Sequence, residues 1–144
     1  MNRGEPIDIL IVEDNSGDVA LIRRSFKNFK IANDLHEVKD GVEALRYLRR
    51  QGPYAWAARP DLILLDLDLP RKNGHEVLAE IKKDPALRQI PVVILSSSEA
   101  TGDIAKAYDL HANCYISKSG NMDELIKAIQ AINSFGISFI KLPP

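Results

Sequence analysis

The chain has 144 residues, of which 45% are apolar and 27% are charged, and this balance predicts one globular domain with an ordinary hydrophobic core. Its 19 basic and 20 acidic residues leave a formal net charge of -1, so charge gives no reason to expect nucleic acid or a membrane as a partner. The single cysteine, Cys114, excludes an internal disulfide framework, and since the chain has neither an apolar run of ~18 residues nor a signal-peptide core, it is predicted to be cytoplasmic.

Short apolar runs alternate along the chain with segments of helical periodicity. Strongly apolar runs predict buried strands at 7–12, 61–66 and 91–95, and weaker strands are predicted at 35–38 and 114–117. Apolar residues at helical spacing predict five helices, in these groups: Val19, Ile22 and Phe26; Val42, Leu45 and Leu48; Val77, Leu78 and Ile81; Ile104, Ala107 and Tyr108; Leu125, Ile129 and Ile132. Asn15 and Ser16 are both candidate N-caps of the first helix.

The predicted elements follow the order strand then helix, five times over. Strands of nearly continuous valine, isoleucine and leucine, separated by helices, are typical of a parallel sheet with helices on both faces. The sequence therefore predicts an α/β fold built on a doubly wound, five-stranded parallel sheet. Open sheets of this kind bind ligands beyond the carboxyl ends of their strands, near the switch in strand order.

Polar residues follow the carboxyl ends of four predicted strands. They are Glu13 and Asp14 after the first strand, Asp66 and Asp68 after the third, Ser96, Ser97 and Ser98 after the fourth, and Ser117 and Lys118 after the fifth. Carboxylates that are packed together repel each other unless a cation neutralises them. Oxygen ligands without histidine or cysteine nearby favour a hard ion such as Mg²⁺ or Mn²⁺. The sequence therefore predicts a divalent metal site at this edge of the sheet.

The same residues are suited to phosphoryl transfer. An aspartate carboxylate such as that of Asp66 is a known type of phosphoryl acceptor, and a divalent ion beside it would draw negative charge off the transferring group. Lys118 supplies a compact positive charge for one phosphoryl oxygen. Ser96 supplies a hydroxyl donor for another.

Four motifs resemble the receiver domain of two-component response regulators. They are Ile-Val-Glu13-Asp14-Asn, Leu-Leu-Asp66-Leu-Asp68-Leu-Pro70 with Gly74, Val-Ile-Leu-Ser96-Ser97, and Tyr115-Ile-Ser-Lys118. They occur in the family's order with compatible gaps, and the resemblance covers about residues 7 to 134. It implies the flavodoxin-like (βα)5 receiver fold and a signalling role in which a sensor histidine kinase supplies the phosphoryl group.

The resemblance also implies a role for each matched residue. The implied set comprises the phosphoacceptor Asp66, the phosphoryl-binding Ser96 and Lys118, the metal-site residues Glu13, Asp14, Asp66 and Asp68, and the switch pair Ser96 and Tyr115. Asp14 would bind Mg²⁺ directly, Glu13 mainly through water, and Asp68 through its backbone carbonyl. Tyr115 would move into the space that Ser96 leaves when Ser96 is drawn toward the phosphoryl group. The chain would catalyse only its own phosphorylation and dephosphorylation.

One position departs from the family pattern. Ser119 follows Lys118 where most members have a proline, and a cis peptide bond is far less favourable before serine than before proline. The Lys-Ser pair and the run Ala-Asn-Cys-Tyr-Ile resemble the single-domain regulators of bacteriophytochrome histidine kinases. This narrower resemblance implies a phytochrome-like kinase as the partner, and a chain in which residues 1–144 act as one receiver domain.

Three further features lie outside the motifs. Trp56 stands in a long loop at 50–60, where we favour local packing over contact with a partner. His111 stands where a helix would often end in glycine, so we expect it to adopt a positive φ. The largely apolar tail, 135–144, is consistent with packing on its own domain and with a homodimer arm, and we favour the homodimer arm.

Two other functions share parts of this pattern. Mg²⁺-dependent phosphohydrolases of the haloacid dehalogenase type also use an Asp-x-Asp motif after a strand, but theirs follows the first strand and precedes the acidic pair. Flavodoxin-like electron carriers share the fold, but Glu13 and Asp14 stand where a phosphate-binding loop would lie. Rapid turnover of a small phosphoester would indicate the hydrolase, and a yellow purified protein would indicate the electron carrier.

Overall fold

A computed structural model of the chain describes residues 6–27, 32–97 and 101–118. The strands are β1 (Ile7–Val12), β2 (Asn33–Val38), β3 (Leu62–Leu65), β4 (Val92–Ser96) and β5 (Cys114–Ser117). The helices are α1 (Ser16–Phe26), α2 (Gly41–Leu48), α3 (Gly74–Lys83) and α4 (Thr101–Asp109), and a short 3-10 helix spans Gly52–Tyr54. The predicted fifth helix, the peptide bond after Lys118 and the C-terminal tail lie outside the described residues.

The five strands form one parallel sheet in the order β2-β1-β3-β4-β5. The chain starts at β1, moves to β2 on one side and then crosses to β3 on the other, so the switch point lies between β1 and β3. The register aligns Val12 with Leu65 and Leu65 with Ile94. Residues that follow these three strands therefore emerge at the same edge of the sheet. The predicted doubly wound fold is confirmed.

Two hydrophobic clusters cover the two faces of the sheet. Alternate residues of a strand point to opposite faces, so Leu10 and Val12 of β1 join the cluster with α2 and α3, while Ile9 and Ile11 join the cluster with α1. The predicted inner faces of α1 and α3 are confirmed, since all of these side chains are buried: Val19, Ile22, Phe26, Val77, Leu78 and Ile81.

The predicted helices α2 and α4 are present, but they bury fewer of the apolar residues that predict them. The buried residues of α2 are Gly41, Ala44, Leu45 and Tyr47. Val42 and Leu48 are half-buried, and Leu48 packs against the same cluster as Leu45. An ideal Cβ on Gly41 would lie 2.0 Å from the carbonyl oxygen of Lys72, so the start of α2 lies directly against the β3–α3 loop. In α4 only Ala107 is buried.

The structure decides three local questions: the N-cap of α1, the backbone conformation of His111 and the exposure of Trp56. Asn15 rather than Ser16 caps α1, because its side chain accepts a hydrogen bond from Asp18 N at 3.0 Å. His111 has a φ of 69°, as expected for a residue that follows a helix end. Trp56 is 96% exposed, so the expectation that it packs locally is wrong. Within the described segments, no helix is long and apolar enough to cross a bilayer.

Candidate metal and phosphorylation site

Three carboxylates meet at the switch point of the sheet. Glu13 and Asp14 follow β1 and Asp66 follows β3, and one oxygen from each lies within 4.8 Å of the others. Backbone hydrogen bonds carry the sheet one residue beyond the strands: Glu13 N donates to Val38 O at 3.1 Å, and Asp66 N donates to Val12 O at 3.0 Å. The sheet itself therefore holds Glu13 and Asp66 side by side.

Burial distinguishes the members of this cluster. Glu13 is 3% exposed and Asp66 is 5% exposed, whereas Asp14 is exposed. Burial raises the pKa of the Glu13 carboxyl from 4.5 to about 7; the hydrogen bond from Lys118 opposes this rise, and the negative charge of Asp66 adds to it. Near neutral pH, Glu13 therefore favours either a proton or a nearby cation.

Lys118 is the cation that the chain itself supplies. Its Nζ donates to Glu13 Oε1 at 2.5 Å and to Asp18 Oδ2 at 2.8 Å, and it lies 3.7 Å from Asp66 Oδ1. Burial alone would lower the pKa of this ammonium group, but the hydrogen bonds to Asp18 and Glu13 raise it above its ordinary value. The backbone N of Lys118 donates to Ser96 O at 2.7 Å, which ties the end of β5 to β4.

The carboxylate of Asp66 is incompletely satisfied. Its Oδ1 is buried and accepts no hydrogen bond from any residue that the structure describes. A buried polar oxygen without a donor is costly. One lysine cannot balance this oxygen together with the carboxylates of Glu13, Asp14 and Asp18. The surplus of hard oxygen donors fits a divalent cation of the Mg²⁺ type.

Three other predicted site residues, Ser96, Asp68 and Tyr115, are not members of the three-carboxylate cluster. Ser96 ends β4 and is fully buried. Asp68 is exposed, and its carboxylate is not part of the three-carboxylate group found among the described residues. Tyr115 of β5 is half-buried and packs against the cluster that contains α2 and α3, and its backbone N donates to Tyr108 Oη at 3.2 Å.

Sequence reasoning missed the contribution of Asp18. This residue lies in the first turn of α1 and accepts a hydrogen bond from Lys118 Nζ at 2.8 Å, so it helps to hold the lysine beside the carboxylates. Its signal in the sequence is its position three residues after the cap, Asn15, where the helix dipole by itself already favours an acid.

Gly74 keeps the loop that carries Asp66 close to α3. An ideal Cβ on Gly74 would lie 2.3 Å from Asp66 O and 2.6 Å from Leu67 Cα. Gly74 N also donates to Leu67 O at 2.9 Å. Only a residue without a side chain allows α3 to begin this close to Asp66.

Comparison with known proteins agrees with this geometry. The model of the response regulator receiver domain matches residues 9–130. Response regulator Rcp1 of Synechocystis sp. is 46% identical over 138 residues, which are 96% of this chain and 94% of that protein. The chain therefore belongs to the response regulator receiver family, and the assignment to a haloacid-dehalogenase-type hydrolase is not favoured.

Two solved structures are similar over nearly the whole chain. The phosphorylated cyanobacterial phytochrome response regulator RcpA is 50% identical, with a TM-score of 0.89 over 97% of this chain and 100% of that one. The Mn²⁺-bound form of Rcp1 is 45% identical, with a TM-score of 0.88 over 96% of this chain and 100% of that one. Both are response regulators, the family that the four sequence motifs resemble.

Proposed function

We propose that the chain acts as one receiver domain that accepts a phosphoryl group on Asp66 with the help of Mg²⁺. The observation that carries the proposal is the state of Asp66 Oδ1, which is buried, accepts no hydrogen bond from the described residues and lies 3.7 Å from Lys118 Nζ. Because no described residue donates to this oxygen, its lone pairs can form a bond to phosphorus once a phosphoryl donor reaches it. The lysine is near enough to pair with the phosphoryl oxygens that would then lie beside it.

The metal would be held by carboxylate oxygens of Glu13, Asp14 and Asp66 and by the backbone carbonyl of Asp68. A carbonyl ligand at Asp68 is consistent with a carboxylate that faces solvent there. Mg²⁺ binds oxygen ligands and retains several waters, which suits a site with an exposed member such as Asp14. Rcp1 is known in a Mn²⁺-bound form, and an all-oxygen site accepts either ion. When bound, the ion would draw negative charge off the phosphoryl oxygens.

In the transfer step, an Asp66 oxygen forms a bond to phosphorus while the bond between phosphorus and the leaving group of the donor breaks. Lys118 pairs with one phosphoryl oxygen, and the Ser96 hydroxyl donates to another. The product carries about -1.5 to -2 charges in place of one. The positive charge of Lys118 is therefore more strongly engaged after phosphorylation than before it.

The phosphorylated state would be read out through Ser96 and Tyr115. Drawing the buried Ser96 side chain toward Asp66 opens space at the end of β4, and Tyr115 on the neighbouring strand β5 moves to fill it. A Ser96→Ala variant should accept the phosphoryl group but should show a smaller change in its tyrosine environment on phosphorylation. The adjacent, exposed Ser97→Ala is the matched control. An undiminished spectral change in Ser96→Ala would exclude this switch.

The donor would be a sensor histidine kinase of the phytochrome type. This part of the proposal is supported by the similarity to RcpA, which is a phytochrome response regulator. The signal would pass to its target by protein contact, and the tail at 135–144, outside the described residues, would serve as a homodimer arm. The only chemistry expected of the chain is its own phosphorylation and dephosphorylation.

The intact mass of the protein after incubation with acetyl phosphate tests the proposal. Wild type should gain one phosphoryl group only when Mg²⁺ is present, and Asp66→Asn should gain none. Asp68→Asn is the matched control, and it should still be phosphorylated because only its backbone carbonyl is assigned to the metal. A modified Asp66→Asn protein would contradict the assignment of the acceptor, and rapid turnover of p-nitrophenyl phosphate would favour the hydrolase instead.

A further inference from the structure

Trp56 is the only tryptophan of the chain, and 96% of its surface is exposed. The loop around it is held in place by local contacts. Ala55 N donates to Gly52 O at 3.3 Å, and Ala57 N donates to Tyr54 O at 3.0 Å. An exposed indole on a fixed loop costs little entropy when it is covered by a partner, so this position differs from an aromatic on a disordered tail.

The residues on either side of Trp56 explain why it points outward. Tyr54 packs its ring 5.3 Å from that of Tyr47 and donates its hydroxyl to Glu43 Oε2 at 2.7 Å. Ala57, three residues after Tyr54, also packs against the hydrophobic cluster that contains α2 and α3. Because these two side chains occupy the inward positions of the loop, Trp56 between them faces solvent.

Three exposed arginines lie in this loop and in the segment that Arg59 joins to it. Arg50 and Arg59 lie in the same connection as Trp56, and Arg88 lies in the turn after α3; all three are exposed. Arg59 Nη1 donates to Ala86 O at 2.5 Å, so the two segments form one surface. Among the described residues, none of these three arginines forms a salt bridge. We call Trp56, Arg50, Arg59 and Arg88 the Trp56 surface.

The acids next to the Trp56 surface are already engaged. Asp84 lies 3.8 Å from Arg49 Nε, and its Oδ1 accepts a hydrogen bond from Ala86 N at 2.8 Å. Asp61 Oδ2 accepts a hydrogen bond from Asp8 N at 2.9 Å. The three arginines therefore outnumber these two acids, one of which already faces Arg49, although the whole chain has a formal charge of -1.

The Trp56 surface lies at the amino ends of the parallel strands, opposite the carboxyl ends that carry Asp66. Its two segments lead into β3 and β4, which begin at Leu62 and Val92, whereas Asp66 follows the other end of β3. A partner bound at this surface would therefore leave the approach to the phosphorylation site open.

We propose that the Trp56 surface is a docking site for an acidic segment of a partner protein that carries an apolar side chain among its carboxylates. Tryptophan and arginine are the residues that most often dominate protein interfaces, and the arginine fork binds carboxylates with two parallel hydrogen bonds. Charge complementarity favours an acidic polypeptide as the occupant. A membrane is the weaker candidate because one indole and three cations are few for stable insertion.

Peptide display on the intact chain tests this proposal. Random peptides selected on the wild-type protein should be enriched in sequences with Asp or Glu beside a large apolar residue. A selected peptide, labelled and followed by anisotropy, should bind Trp56→Ala at least about tenfold more weakly than wild type. It should bind Tyr108→Ala, which truncates the other exposed large aromatic side chain among the described residues, as tightly as wild type.

Charge and lipid controls complete the experiment. The triple change of Arg50, Arg59 and Arg88 to Gln should weaken the same peptide, whereas Arg24→Gln on α1 should not, and all variants should still be phosphorylated by acetyl phosphate. Emission of the single indole should shift to shorter wavelength when the peptide binds. Selected peptides without acidic residues, or equal binding to Trp56→Ala, would overturn the proposal. A shift with phosphatidylglycerol vesicles alone would overturn it in favour of a membrane site.

Discussion

Replacing Glu13 with glutamine should stabilise the metal-free protein and weaken its binding of Mg²⁺. The two effects have opposite signs because the same carboxylate is costly to ionise in its buried position and useful as a metal ligand. Glutamine has nearly the same shape, and its amide oxygen can still accept the hydrogen bond from Lys118. The change therefore removes the charge with little effect on packing.

The magnitude follows from the pKa of Glu13, which burial raises from 4.5 to about 7. At about 1.4 kcal/mol per pKa unit, this shift corresponds to about 3 kcal/mol. Since the folded protein binds this proton more tightly than the unfolded chain, the stabilisation is fully present below pH 4.5 and is lost as the pH rises through about 7. Glu13→Gln cannot lose this proton, so it should keep the stabilisation at alkaline pH.

Urea unfolding in EDTA at a series of pH values between 4 and 8 measures the effect. Wild type and Glu13→Gln should have similar free energies of unfolding at the acid end, and the variant should be more stable by about 3 kcal/mol at the alkaline end. The exposed Glu76→Gln is the matched control, and its curve should follow that of wild type. Parallel curves for wild type and Glu13→Gln would refute the reasoning, as would undiminished Mg²⁺ affinity in Glu13→Gln.

Three further changes test other contacts of the site and its surroundings. Lys118→Gln removes the cation from a buried group of carboxylates, so thermal unfolding should show a loss of about 3 kcal/mol in EDTA that Mg²⁺ partly restores. Gly74→Ala places a Cβ 2.3 Å from the backbone oxygen of Asp66, the proposed phosphoacceptor. It should lower the free energy of unfolding by about 1–3 kcal/mol and slow phosphorylation by acetyl phosphate. The control Gly102→Ala, whose Cβ would have no atom within 4 Å, should change neither quantity. Tyr54→Phe removes a 2.7 Å hydrogen bond to Glu43 and should lower the free energy of urea unfolding by about 1 kcal/mol.

The sheet could be predicted from the sequence because its central strands are buried on both faces. Continuous apolar runs identify such strands regardless of their neighbours, and β1, β3 and β4 lie where those runs were found. The burial of α2 is less evident from the sequence. Its apolar spacing predicts a helix, but Gly41 and Tyr47 are buried as well as Leu45, and Gly41 lies against the backbone of Lys72, which belongs to a distant loop.

The exposure of Trp56 could not be read from the chain. Tryptophan is buried on average, so composition alone favoured packing. The inward positions of this loop are instead taken by Tyr54 and Ala57, because Tyr54 meets Tyr47 and Glu43 on α2. Which side chains of this loop pack inward is decided only when α2 is in place.

The sequence by itself determined most of the residues that gather at the carboxyl edge of the sheet, because they directly follow strands that the apolar runs of the chain predict; Asp18, which lies in a helix, is the exception. Only the tertiary structure decided how those residues share charge and protons. Lys118 meets Glu13 across 105 positions and Asp18 across 100, and the high pKa of Glu13 comes first from burial by other segments. Distance and burial arise between parts of the chain that are remote in sequence, so no local pattern could have predicted them.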